Sequence, residues 1–256
     1  MGGATIARTM TTAILSALAE EQHGLIDLLE SPACVRHAGR DFHTGRLWGH
    51  PVVIALSRIG KVAAATTATV LVERFAVQRM VFTGVAGGLA PGVRVGDVVV
   101  ASHLLQHDMD ASPLFPRHEI PLYGKARFAC DPVLSAKLAE AARGVQGGAG
   151  CDASVRTRYA LDGARVHHGL LISGDRFVSA SAESRALQAS VPDALAVDME
   201  SAAVAQVCHD YSLPFAAVRT ISDRADDQAH VDFTAFVGEV ASQYARTILQ
   251  GWLNSV

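Results

Sequence analysis

The feature that most constrains this chain is the regular alternation, through its C-terminal third, of short unbroken apolar runs with segments of helical periodicity. The runs at 170–178, 194–199 and 215–222 read as buried strands, while 182–189, 201–211 and 233–253 repeat apolar residues at helical spacing. A strand covered on both faces has no polar alternation, and the helices that cover it must lie on both sides of the sheet. The pattern therefore specifies an α/β fold with a mixed, largely parallel sheet.

The N-terminal half fits the same plan. Residues 12–18 form a first apolar run, and 20–29 carries Leu25, Ile26, Leu28 and Leu29 at helical spacing. Between 41 and 56 two strand-like runs flank Trp48-Gly49-His50-Pro51, a turn cluster that predicts a hairpin. A helix is expected over 61–75, strands over 80–85 and 97–105 with a glycine loop between them, and a helix over 131–143, where Asp131 can cap and Pro132 can occupy the first turn. Residues 144–164 are rich in Gly, Ala and Arg without periodicity and read as a surface insertion. No linker or repeat divides the chain, so 1–256 is expected to be a single domain, with 1–11 a flexible N-terminal extension.

Composition narrows the partners. Lys plus Arg number 22 against 25 Asp plus Glu, and no basic block offers a footprint for nucleic acid or a membrane surface. Arg58 and Lys61 break the longest candidate for the roughly 18 apolar residues that a membrane helix requires. Arg8 followed by the run from Met10 to Leu18 imitates a signal peptide, but the threonines at 9, 11 and 12 suit a core strand better, and Met10 is a second candidate start. Cys34, Cys130, Cys151 and Cys208 are widely spaced with no C-x-x-C pair, which predicts reduced thiols and a cytoplasmic protein.

In open α/β sheets ligands bind beyond the carboxyl ends of strands. Four such places stand out here: Glu20 and Glu21 after the first strand, Thr83 to Gly88 in the middle, Asp198-Met199-Glu200, and Ser222-Asp223. Carboxylates at three strand ends repel one another and resist desolvation, so their convergence points to a site. Singly, each could be a helix cap, and Asp223 in particular could cap a polar loop. The glycine stretch matches neither a dinucleotide fingerprint nor a Walker loop. His107, Asp108 and Asp110, and Asp223, Asp226, Asp227 and His230, lack metal-ligand spacing and read as solvated loop charge.

Five strings occur in order: Arg58-Ile59-Gly60-Lys61-Val62; 83–91 with Val95-Gly96-Asp97; Ser173-Gly174-Asp175-Arg176-Phe177; Val197-Asp198-Met199-Glu200; and Arg219-Thr220-Ile221-Ser222-Asp223. Together they resemble the purine nucleoside phosphorylase and nucleosidase superfamily, above all the bacterial methylthioadenosine/S-adenosylhomocysteine nucleosidases. The resemblance implies a three-layer α/β/α fold, hydrolysis of 5'-modified adenosines without a cofactor, and a homodimer whose partner subunit closes one end of the pocket. Carried over by position, Glu20 would activate water and Asp223 would protonate N7 of the departing adenine, supported by Ser222. Glu200 would hold the ribose hydroxyls beside Met199, Phe177 would stack on the purine, and the Val178 backbone would read its edge. Arg219 would lie near water and ribose, and Gly84 and Val85 would line the site.

That division of labour suits the chemistry. Cleaving an N-glycosidic bond through a cationic sugar needs an acid on the leaving group, a base on water, and negative charge near the ring. Asp223 can serve as the acid near neutral pH only if burial raises its pKa. Two departures from the resemblance are Val85 in place of a serine and Arg58 in place of a glycine, the latter adding positive charge near the ribose end. Arg58 keeps a phosphate-dependent phosphorylase as the alternative enzyme, against which Glu20 sets a negative charge after the first strand and Val85 removes a phosphate-binding hydroxyl; a non-catalytic nucleoside-binding protein is the third reading.

Overall fold

The computed structural model describes residues 10–225 and 233–256. Residues 1–9 of the expected N-terminal extension, together with Asp226, Asp227 and His230, lie outside the described residues. In chain order the elements are β1 (Thr12–Ser16), β2 (Glu30–His37), β3 (Arg40–Leu47), β4 (His50–Leu56), α1 (Lys61–Phe75), β5 (Arg79–Gly88), β6 (Val98–Gln106), β7 (Arg127–Ala129) and α2 (Pro132–Ala142). They continue with α3 (Ala153–Arg158), β8 (Val166–Ser173), α4 (Ser181–Ser190), β9 (Ala194–Asp198), α5 (Ser201–Asp210), β10 (Phe215–Asp223), α6 (Phe233–Phe236) and α7 (Ser242–Leu253).

The mixed sheet runs β10-β6-β8-β9-β5-β1-β4-β3-β2, and a further pairing of β10 with β5 closes its first five strands into a barrel. Parallel ladders join β1 to β4 and β5, β5 to β10, β6 to β8, and β8 to β9. Antiparallel ladders form the β2-β3-β4 edge and the closure of β9 and β6 onto their neighbours.

Period-two alternation divides the strand residues between two cores. Ala13 and Leu15, Val53 and Ala55, and Met80 and Phe82 face α1 and α5, where Ala64, Ala68, Leu71, Ala202 and Val204 await them. Their neighbours Ile14, Val52, Ile54 and Val81 face α2 and α7, packing with Leu138, Ile248, Leu249 and Trp252. This is the three-layer α/β/α architecture. Among the described residues no helix is long and apolar enough to cross a membrane, and all four cysteines are free.

Several expectations are corrected. Residues 20–29 form two 3-10 turns, Glu20–Gln22 and Ile26–Leu28, because Gly24 adopts φ +76° and interrupts a helix. The edge strand β2 and the three-residue β7 have no alternation strong enough to read. Residues 144–164 are not a bare surface insertion: short turns and α3 deliver Val145, Cys151 and Leu161 into the second core. The glycine stretch is part of β5, paired with β10 and β9, rather than a loop.

Candidate active site

Beyond the carboxyl ends of β1, β5, β9 and β10 lies a cavity of about 190 Å³. Glu21, Glu200 and Asp223 reach it from three separate elements, together with Val85, Phe177, Val178, Met199 and Ser222. Glu20 does not line it and is exposed. The chain leaves β1 through a 3-10 turn, whose three residues per turn point successive side chains in different directions. Glu21 therefore faces inward and Glu20 faces solvent, so the carboxylate expected at position 20 is supplied by its neighbour.

Glu21 is held on three sides. Its Oε2 accepts the Ala17 and Leu18 N–H groups at 2.8 and 2.9 Å, and Oε1 accepts the Val85 N–H at 2.9 Å. Burial raises its pKa and outweighs the opposing pull of Arg219 and these three backbone donors. Gly84 explains how β5 passes so close: a Cβ there would sit 2.5 Å from Glu21 Oε1 and 2.3 Å from Arg219 Nη1. The glycine is a clearance requirement, not a phosphate cradle.

Arg219 is completely buried, its guanidinium carbon 4.0 Å from the centre of the Phe82 ring. Its Nε donates to Asp198 at 2.8 Å, and Nη2 approaches Glu200 at 3.8 Å. Burial opposes the charge, but Asp198, Glu21 and Glu200 outweigh it and keep Arg219 cationic. Asp198 thus has a position that the sequence reading left without a role. It anchors Arg219, accepts the Ser173 hydroxyl at 2.5 Å and the Ser201 hydroxyl, and caps α5 through the Ser201 N–H.

Glu200 accepts the Gly60 N–H at 2.9 Å. Its burial, then the adjacent Asp198 carboxylate, push its pKa up to about 7 against the pull of Arg219 and that N–H. Asp223 is also buried. Ser222 Oγ donates to its Oδ2 at 2.8 Å and the Ala225 N–H to its Oδ1 at 2.7 Å. Phe177 stands half-exposed at the mouth with the Phe233 ring edge-on to it at 6.2 Å. Sequence reasoning did not single out Phe233, because it opens a helix after an unpatterned polar stretch.

Arg58 does not supply positive charge to this cavity. It takes φ +63° and donates to the Gly39 carbonyl, lining a separate depression with Arg36 and Arg40. Asp108 and Asp110 are used locally, by Lys61 and by Ser112 respectively.

A closed mixed barrel flanked by helices, with buried carboxylates gathered beyond its strand ends, defines a nucleoside phosphorylase-like class. The chain belongs to the phosphorylase superfamily, whose family model matches residues 11–253. It is 35% identical over 228 residues to the 5'-methylthioadenosine/S-adenosylhomocysteine nucleosidase of Shewanella denitrificans, covering 89% of this chain and 92% of that one. The solved nucleosidase of Neisseria meningitidis, in complex with methylthio-immucillin-A, superposes with a TM-score of 0.84 at 34% identity, covering 96% of this chain and 99% of that one. The futalosine hydrolase of Helicobacter pylori strain 26695 gives 0.81 at 30% identity, with 97% and 99% covered.

Proposed function

We propose that this chain hydrolyses the N-glycosidic bond of 5'-modified adenosines, methylthioadenosine and S-adenosylhomocysteine, releasing adenine and the free 5-substituted ribose. The observation that carries the reading is the convergence of Glu21, Glu200 and Asp223 on one cavity, each held by backbone or hydroxyl donors. Backbone at 84–85 abuts Glu21, and a Cβ on Gly87 would sit 2.9 Å from Asp223 Oδ1. Two to three residues of strand rise separate those contacts by roughly 7–10 Å along β5. A base and an acid held at separate points of one strand leave room for water between them, the arrangement of inverting glycoside hydrolysis.

In this reading Glu21 takes a proton from water as it attacks C1' of the ribose. Asp223 donates to N7 as adenine leaves. Glu200 accepts the ribose hydroxyls and, with the other carboxylates, stabilises the cationic ring. Phe177 stacks on the purine, and Arg219 opposes the effect of burial on Glu21 and Glu200, drawing both toward the ionised form. The phosphorylase alternative loses the support that Arg58 gave it, since Arg58 is turned to the Gly39 carbonyl. Adenine release is therefore expected at full rate in phosphate-free buffer, with a free reducing sugar formed. A rate that depends on added phosphate, with ribose 1-phosphate as product, would replace this reading.

The protein is also read as a cytoplasmic homodimer. Ile59 and Val62 beside the cavity, and Leu114 and Leu122 on the segment after β6, are 57%, 78%, 84% and 91% exposed, apolar surface suited to a second copy that closes the 5' end of the pocket. Sedimentation equilibrium is expected to give the dimer mass at micromolar concentration, and a monomer there would remove the partner subunit from the site. The low charge and the absence of a basic block leave a small nucleoside, not nucleic acid or a membrane, as the ligand.

A further inference from the structure

Lys61 occupies the first turn of α1, the end of a helix where the macrodipole disfavours a cation and where no acidic residue of the same turn offsets it. Its surroundings supply the compensation. Lys61 Nζ donates to Asp108 Oδ1 at 2.6 Å, and the Asp175 N–H donates to Asp108 Oδ2 at 2.9 Å. The Lys61 N–H in turn donates to Asp175 Oδ1 at 2.6 Å, closing a ring of three residues from the start of α1 and the segments that follow β6 and β8. A second arm runs from Lys61 Nζ to Gln106 Oε1 at 3.2 Å, and from Gln106 Nε2 to Gln206 Oε1 on α5 at 2.7 Å.

Two glycines show how tightly the ring is packed. A Cβ on Gly60, which has φ +92°, would lie 3.0 Å from Asp175 Oδ1. One on Gly174 would lie 2.4 Å from His107 Nε2 and 3.1 Å from Asp108 Cγ. The ring ends on both halves of the cavity. Gly60, one residue before Lys61, donates to Glu200, and Phe177 follows Asp175 by two residues.

We propose that Lys61, Asp108 and Asp175 form a clasp that fixes the Phe177 loop relative to the Glu200 carboxylate, with Lys61 the positioning residue. The inference rests on the reading of Phe177 and Glu200 as the purine and ribose contacts. Removing Nζ leaves Asp108 a single donor and frees the end of β6 from α1, so the aromatic face and the ribose acceptor lose their fixed separation. Neither Lys61 nor Asp108 lines the cavity; they act on binding through Phe177.

The test is a double-mutant cycle between Lys61→Met and Phe177→Ala, read as KM and kcat for adenine release from methylthioadenosine, with adenine binding followed by calorimetry. Lys61→Met is expected to raise KM on the order of tenfold with a smaller change in kcat, and to add less than about twofold once the ring is gone. Equal factors in both backgrounds would make Lys61 a merely structural residue and overturn the clasp. If Lys61→Met does not fold, Asp108→Asn carries the same cycle, because Lys61 and the Asp175 N–H bond different carboxylate oxygens and the amide turns an NH2 donor toward one of them. A wild type that binds adenine but releases none would overturn the hydrolase reading alone, and the cycle is then judged on the adenine dissociation constant. A wild type that does neither overturns both.

Discussion

Asp223→Asn is expected to abolish adenine release while leaving the folded protein intact. An amide has no proton to give to the leaving base, so the loss should be on the order of 100-fold or more in kcat. The neighbouring hydrogen bonds tolerate the exchange. The Asn carbonyl can keep the Ala225 N–H now held at 2.7 Å by Oδ1, and the Ser222 hydroxyl, now donating at 2.8 Å to Oδ2, can rotate and accept from the new amide. Unfolding free energy should therefore change by only about 1 kcal/mol. Ultraviolet assay of adenine release and a thermal melt suffice for the test. Near-normal turnover would remove Asp223 from the chemistry, and a collapse of the melt would make it a structural residue.

The sequence was legible wherever burial was two-sided. β1, β5, β6, β8, β9 and β10 read as continuous apolar runs because consecutive residues serve opposite cores, as Ile14 does between Ala13 and Leu15. The edge strand β2 left no such trace, since it is exposed on most of its length. Residues 144–164 were hard to read for a different reason: their turns are too short to repeat, so Val145, Cys151 and Leu161 enter the core as isolated anchors. Within the site, Asp223 stood out because it ends β10, and Glu200 because it follows closely on the end of β9. Asp198 stood beside them without a role, because its partner, Arg219, lies 21 residues away. The choice between Glu20 and Glu21 depended on the turn after β1. A helix over 20–29 assigns the inward position differently from a 3-10 turn that Gly24 cuts short, and no composition or periodicity separates two adjacent glutamates.

That pair gives the sharpest contrast in the molecule. Glu21→Gln is expected to stop hydrolysis, whereas Glu20→Gln, on the exposed side of the same turn, should stay within about twofold of the wild type because surface changes of this kind perturb little. The amide at 21 cannot take a proton from water, which should lower kcat by roughly 10²–10⁴. It also has one acceptor oxygen for the three N–H groups of Ala17, Leu18 and Val85, so at least one of these donors loses its partner, at about 1–3 kcal/mol of stability.

The pH dependence of activity follows from the same burial. A base must be ionised, and burial holds Glu21 above the ordinary carboxylate range. The acid limb of kcat/KM should therefore lie closer to neutrality than a solvent-exposed glutamate would give, and Glu200, pushed up to about 7, acts in the same direction. Stability should slope the other way. A carboxyl whose folded pKa is raised contributes stability that is complete below its unfolded value of 4.5 and is lost as pH rises through about 7 for Glu200. The site is thus most active where its carboxylates cost the fold most. Glu21→Gln, which carries no titrating group, should shed part of that stability slope, and chemical denaturation at pH 5 and pH 8 would measure it. An unchanged slope together with wild-type adenine release would return the base to Glu20 or to another residue.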